Sequence, residues 1–297
     1  MKILFNRQFL DHNIKSPFEG PYRLKGFAGL PDENSVDGEP YLALVHTPEY
    51  IDYIKQACEK DIYLAEVKIT HETYKAAKVA VGLTIKASER GDFAVVRPPG
   101  HHAGRNNTSG FCLFNNIAIA SQKLVNEGNK VCILDIDGHH GDGTQSIFYN
   151  SSQVFYVSIH EHYAYPHTGM ALETGKDRGK GYTLNIPLYP GSSDKQFLEA
   201  LHTAIKKIRI FDPDVIGVSA GFDGYKKDKL LDLNYSLKVF YEAGYQLKKA
   251  FRYKKVFAVL EGGYHDDLRK AVDNFVEGIN KGGRPPKIRY DTDMAIG

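Results

Sequence analysis

Residues 133–145 read ILDIDGHHGDGTQ, an apolar run that empties into Asp135, Asp137, His139, His140 and Asp142. In extended chain, residues two apart project to the same side, so Asp135, Asp137 and His139 face one locus. Neighbouring carboxylates disfavour each other's ionisation, and one takes up a proton unless a cation lies between them. A divalent metal removes that penalty. Taken alone, the stretch fits equally a glycine-rich turn whose aspartates cap the next helix. Asp223 shifts the balance, because it follows VIGVSAGF, where a second apolar run opens into glycine. Asp137, His139 and Asp223 make an oxygen, nitrogen, oxygen set with a fourth position left for water, the pattern of an open catalytic site. Two hard oxygens and one imidazole suit zinc first, and ferrous iron as well.

Two further stretches add chemistry. In RPPGHH (97–102), Pro98 and Pro99 fix the backbone and Gly100 frees it, so His101 and His102 are displayed together on a turn. Imidazole titrates near neutral pH and suits acid/base work. Each imidazole needs an orienting partner, and Asp135 and Asp142, unused by the metal set, supply one apiece. In EGGYH (261–265), Gly262 and Gly263 let the backbone bring Tyr264 close enough for its phenol to donate to an oxygen developing negative charge. His167, in YPHTG, is expected at a pocket mouth, whereas His46, His160 and His162 read as structural or surface residues.

These residues need a frame that gathers them. Apolar, β-rich runs recur as KILF, FAVV (93–96), VCILDI (131–136), VFYVSI (154–159), YTLNIPL (182–188), VIGVSA (215–220) and VFAVL (256–260). Several are too continuous to have a wet face, which is how strands of a parallel sheet covered on both sides read. Helical spacing occupies HETYKAAKVAVGLTIKASERG, NNIAIASQKLVNEGN, SDKQFLEALHTAIKKIRI and LNYSLKVFYEAGYQLKKAFRYK, with Gly91, Gly128 and a Ser/Asp pair as stop and start signals. The alternation implies one open, mostly parallel α/β sheet, and no linker or repeat divides residues 1–297 into more than a single domain. Roughly the first 65 residues and the tail KGGRPPKIRYDTDMAIG are less regular and are expected to wrap the sheet. Ligands sit beyond the carboxyl ends of such strands. Five strand ends carry His, Asp or Tyr.

Bulk properties narrow the function. With 38 basic against 36 acidic residues the charge is nearly balanced, giving no reason to expect nucleic acid or membrane as a partner. Three separated cysteines, Cys58, Cys112 and Cys132, form neither a disulfide framework nor a thiolate metal site. The N-terminal apolar stretch is too short for a signal peptide, and no run approaches the length of a membrane span. A cytoplasmic location is expected.

RPPGHHAG, SGFCLFNNIAIA, ILDIDGHHGDGTQSIFY, VSIHEHYAYPHTG, SAGFDGY and LEGGYH occur in the order and character of the histone deacetylase family, with a fainter echo in SPFEGPYRLKGF. The chain therefore resembles that family, class II-like and including bacterial and archaeal deacetylase-like amidohydrolases, from about Phe93 to His265. The resemblance implies an arginase/deacetylase-type three-layer α/β fold with about eight strands, and hydrolysis of the N-acetyl or other short acyl amide of an acylated amine, small molecule or protein acetyl-lysine, at zinc. It implies Asp137, His139 and Asp223 as metal ligands, Asp135 behind His101 and Asp142 behind His102, His102 as general base and then acid, His101 as a stabiliser of charge, and Tyr264 as the polariser of the carbonyl. It places Gly110, Phe111 and Tyr165 on the walls of an acyl-chain tunnel, and Ser158 with Asp135 at a potassium site.

Departures bear on substrate. Leu230 stands where polyamine-selective relatives carry glutamate, and Glu66 where the family often has a rim aspartate. Acetylpolyamine or small-metabolite hydrolysis is one alternative, and a catalytically idle acyl-amine-binding member of the fold is another, although no ligand, histidine or tyrosine is missing. A two-metal ureohydrolase of the arginase type would call for more Asp and His ligands.

Overall fold

The seven apolar runs become the seven strands of one parallel sheet in the computed structural model, which describes residues 1–13, 16–34, 37–64 and 67–283. In chain order the strands are β1 (Ile3–Leu4), β2 (Tyr63–Leu64), β3 (Val67–Lys68), β4 (Phe93–Ala94), β5 (Val131–Asp135), β6 (Val154–Glu161), β7 (Thr183–Leu188), β8 (Val215–Ala220) and β9 (Lys255–Leu260). The sheet runs β1-β4-β9-β8-β5-β6-β7, and every neighbouring pair is parallel. Every residue of β5, β6 and β8 is buried, as continuous apolar runs demand, whereas β7 at the edge is partly exposed.

The described sheet holds seven strands rather than about eight. Only Ile3 and Leu4 of the N-terminal stretch reach it, by pairing with Phe93 and Ala94. β2 and β3 pair with each other in a separate antiparallel ribbon. The rest of that stretch forms the short 3-10 segments Pro21–Phe27 and Glu39–Leu44 and the helices Gln8–Asp11 and Pro48–Glu59, which pack on the helices flanking the sheet, and most of the C-terminal tail lies outside the described residues.

Eight helices are described: α1 (Gln8–Asp11), α2 (Pro48–Glu59), α3 (His71–Arg90), α4 (Asn116–Asn126), α5 (Asp142–Phe148), α6 (Asp194–Phe211), α7 (Leu237–Ala250) and α8 (Leu268–Gly282). α3 packs on α4 and β9, and α4 on β5 and β8, while α6 packs on β6 and β7, and α7 on α6 and α8. Local chemistry fixes their ends. Thr70 with Thr73, and Ser193 with Gln196, form capping boxes for α3 and α6, and Gly91 closes α3 in the left-handed region. Among the described residues no helix is long and apolar enough to cross a membrane. Because all seven strands point the same way, their carboxyl ends share one rim, and the chemistry-bearing turns leave from it.

Candidate active site

The chain leaves β5 at Asp135 and turns at once, so Asp137 and His139 stand just beyond the strand end, and the turn after β8 brings Asp223 against them. One candidate ligand atom from each of Asp137, His139 and Asp223 lies within 4.8 Å of the others. Backbone donors hold the carboxylates. Asp137 accepts from Gly262 N–H at 2.7 Å and His139 N–H at 2.9 Å, and Asp223 accepts from Gly138 N–H at 2.7 Å. Asp223 Oδ2 is also 2.7 Å from His139 Nδ1. Gly262 must be glycine, because a Cβ there would meet the carboxylates of both Asp223 and Asp137.

This grouping strains its own ionisation. Burial, and then the charge of Asp137, push Asp223 above the usual carboxylate range. Burial would raise Asp137 too, but the imidazoles of His101 and His139 outweigh it and hold that carboxyl well down. Two buried carboxylates with split protonation, beside an imidazole, form a donor set that a divalent cation would relieve. The residues fit such an ion.

The tandem histidines sit on the turn after β4, both buried. His101 Nδ1 is 3.1 Å from Asp135 Oδ2, which also accepts from the Tyr156 hydroxyl at 3.1 Å. His102 Nδ1 is 2.7 Å from Asp142 Oδ1. A carboxylate facing Nδ1 accepts a hydrogen bond from Nδ1–H, and in a neutral ring this leaves Nε2 as the free acceptor. Burial, then the neighbouring His101 charge, lower His102 to about 4 against the pull of Asp142, so its ring is neutral near pH 7. Burial works the same way on His101, but the carboxylates of Asp137 and Asp135 reverse it and raise that ring well above its ordinary value. One imidazole is therefore a neutral base and its neighbour a cation.

Both His102 and His139 line a cavity of about 430 Å³ whose walls include Phe111, Tyr165, Leu230 and Tyr264. Gly110 and the segment Ser16, Pro17, Phe18 complete it. The Phe111 and Tyr264 rings are 6.0 Å apart, the His102 and Tyr165 rings 5.4 Å, and the Tyr165 hydroxyl is 2.5 Å from Ser109 Oγ. Gly110 has φ +51°, and a Cβ there would strike the His102 ring. Burial keeps the Tyr264 phenol well above its usual pKa, hence protonated. Its backbone N–H donates to Asp228 at 2.6 Å, and the Arg23 guanidinium lies over its ring at 4.5 Å.

The structure thus brings Asp135, Asp137, His139, Asp142, Asp223, His101, His102 and Tyr264 together, with Gly110, Phe111, Tyr165 and Leu230 around the cavity beside them. Ser158 stands opposite Asp135 in the β5–β6 register, its hydroxyl 2.8 Å from His160 Nδ1. His46 and His160 are buried structural residues. His167 does not line the cavity; it is exposed and bonds Tyr163 O. Glu66 lies outside the described residues. Sequence reasoning passed over Glu19, Arg23 and Arg97. Arg97 donates to both oxygens of Glu19 at 2.5 and 2.7 Å, and Arg23 donates to Glu19 at 3.2 Å and to the carbonyls of Glu261 and Gly263 at 2.6 and 2.8 Å. The signals in the sequence were the echo SPFEGPYRLKGF, which supplies Glu19 and Arg23, and RPPGHH, which opens on Arg97.

A parallel α/β sheet with a two-carboxylate, one-imidazole cradle at its carboxyl rim, backed by paired His–Asp couples, is the frame of a metal-assisted amidohydrolase. The family model described as "Histone deacetylase domain" matches residues 31–279, and the chain belongs to the histone deacetylase family. Its relatives include a probable deacetylase of Archaeoglobus fulgidus, 34% identical over 294 residues and spanning 88% of this chain and 80% of that protein. The acetylpolyamine amidohydrolase of Mycoplana ramosa is 36% identical over 226 residues, spanning 72% of this chain and 66% of that one. Among solved structures, the HD domain of HDA15 superposes with a TM-score of 0.87 at 30% identity, covering 96% of this chain and 89% of that one. The acetylpolyamine aminohydrolase of Burkholderia pseudomallei gives 0.84 at 28% identity, covering 95% and 99%. The protein is accordingly a hydrolytic enzyme of this family.

Proposed function

We propose that this amidohydrolase removes a short acyl group, acetyl above all, from the amine of a straight methylene chain such as that of acetyl-lysine. The observation that carries the reading is that His102, His139 and Tyr264 line one aromatic-walled cavity, with Asp142 behind the first and the metal-type trio around the second. Asp137, His139 and Asp223 would hold zinc, or ferrous iron. When bound, that ion supplies a Lewis acid for the acyl oxygen and lowers the pKa of a water.

The protein's own groups manage the protons. His102, kept neutral by burial and held in its Nδ1–H tautomer by Asp142, takes a proton from the attacking water on Nε2 and passes it to the leaving amine. Asp142 stabilises the imidazolium formed in between. His101, cationic against Asp135 and Asp137, offsets negative charge next to the trio. Tyr264 donates its hydroxyl proton's hydrogen bond to the acyl oxygen as charge develops there. Phe111 and Tyr165 hold the methylenes and exclude water. Ser158, beside Asp135, would contribute to a potassium site that steadies the Asp135–His101 couple. We assign residues 1–297 to one catalytic unit that works in the cytoplasm without a nucleic-acid partner.

Acetylpolyamine hydrolysis is the second reading, favoured by the names of two relatives. Leu230, an apolar wall residue, offers no charge to a second ammonium. The test is turnover of metal-loaded protein on acetyl-lysine peptides, acetylpolyamines and small acetylated metabolites, with metal content measured in parallel. His102→Ala and Tyr264→Phe should each lower kcat by about 100-fold or more with the fold intact by circular dichroism. Wild-type turnover in either removes the role assigned to it.

A further inference from the structure

We infer that Glu261 is the positioning residue that sets the tandem-histidine turn against the metal trio and Tyr264, an inference that rests on the function proposed above. The turn after Pro98 and Pro99 leaves the sheet ladder, so its buried N–H groups need partners from elsewhere. Glu261, fully buried at the end of β9, provides them. One carboxylate oxygen accepts from Gly100 N–H at 2.7 Å and from His101 N–H at 3.2 Å, and the other accepts from Ser219 Oγ at 3.1 Å. The opposite side of the turn is held by Asn116 Nδ2 on the Pro98 carbonyl at 3.1 Å, and a Cβ on Gly100 would collide with Phe114 O and Asn116 N. Among the described residues no lysine or arginine pairs with the Glu261 carboxylate; it hydrogen-bonds to this turn and faces the charge of the His101 ring that the turn carries.

The same short stretch reaches the other two parts of the site. The Glu261 carbonyl accepts from Arg23, whose guanidinium lies on the Tyr264 ring, and the next residue, Gly262, donates its N–H to Asp137. The end of β9 therefore ties base, metal ligand and tyrosine to one piece of backbone. Glu261 touches none of the reacting atoms. Its effect runs through where His101 and His102 stand.

Two substitutions separate reach from charge. Glu261→Gln keeps an acceptor oxygen at the same distance for Gly100 and His101 and turns its amide to Ser219 Oγ; Glu261→Asp keeps the charge but withdraws the oxygens by one methylene. Glu261→Gln should hold kcat within about threefold, and Glu261→Asp should lower it about 10- to 100-fold, with KM and bound metal unchanged. Hydrogen exchange of the Gly100 and His101 amides should match wild type in Glu261→Gln and quicken at least about tenfold in Glu261→Asp. An aspartate variant with wild-type kcat, or a glutamine variant that loses as much as the aspartate one, overturns the inference. Should Glu261→Asp not fold, amide protection in Glu261→Gln decides, since protection as in wild type supports the hydrogen-bonding role and its loss overturns it. If the wild-type protein cleaves no acylated amine, the proposed function fails, while the exchange data still judge the positioning role by itself.

Discussion

Glu19 should be worth about 3 kcal/mol to the fold at neutral pH, and that contribution should vanish in acid. Its carboxylate has no exposed surface and is gripped by Arg97, also fully buried, through two hydrogen bonds, with Arg23 adding a third. Burial by itself would raise the carboxyl, but the Arg97 charge and hydrogen bonds, with help from Arg23, overcome it and bring it from 4.5 to about 2. A drop of that size corresponds to about 3 kcal/mol between the ionised and protonated forms. The folded pKa lies below the unfolded one, so the stabilisation is fully present above about pH 4.5 and is lost as pH falls through about 2. Glu19→Gln removes the charge and leaves two buried guanidiniums short of an anion, which independently costs about 3–5 kcal/mol. For a chain of this length, 3 kcal/mol corresponds to a fall in Tm of about 5 °C. Urea denaturation of both proteins from neutral pH down to about pH 2 measures the gap between them. A gap under about 1 kcal/mol at neutral pH, or one that stays constant into acid, would refute the reasoning.

Two further outcomes bear on the site. Chelation should abolish activity and added zinc restore it; because the proton favoured by Asp223 competes with the metal, affinity measured against a chromophoric chelator should weaken as pH drops below neutral, and a flat pH dependence would contradict this. Leu230→Glu places a carboxylate on the cavity wall. It should raise kcat/KM for an acetylpolyamine over an acetyl-lysine peptide by about tenfold, the value of one modest ion pair, and an unchanged ratio would mean that a second ammonium never reaches this wall.

Much of this site was legible in the chain because its signals are local. Asp135, Asp137 and His139 leave one strand end and Asp223 follows another, so the rule for strand ends was enough to nominate them, although the chain turns after Asp135 instead of running on in extended alternation. Which carboxylate serves which imidazole was not readable from the residues alone; the family resemblance implied Asp135 for His101 and Asp142 for His102, and the observed hydrogen bonds agree. α8 is legible as well. Leu268, Ala271, Val272, Phe275, Val276 and Ile279 recur at helical spacing and are all buried. Glu19, Arg97 and Glu261 stand inside SPFEGPYRLKGF, RPPGHH and EGGYH, but their partners were not readable, since each acts on a segment far away in the chain, 78 residues from Glu19 to Arg97 and 161 from Gly100 to Glu261.

Taken by itself, the order of residues determined the kinds of ligand, the parallel α/β frame and the caps of the main helices, because side-chain alternation, helical period and capping are properties of a few neighbouring residues. Only the tertiary structure decided the distances. β4 and β5 follow one another among the strands of the sheet yet stand apart within it, with β9 and β8 between them. That order is what places His102 and Asp142, Gly262 and Asp137, and Arg23 and Tyr264 in contact. Long-range strand pairing is chosen by the burial of both sheet faces at once, and no local stretch of chain carries that information.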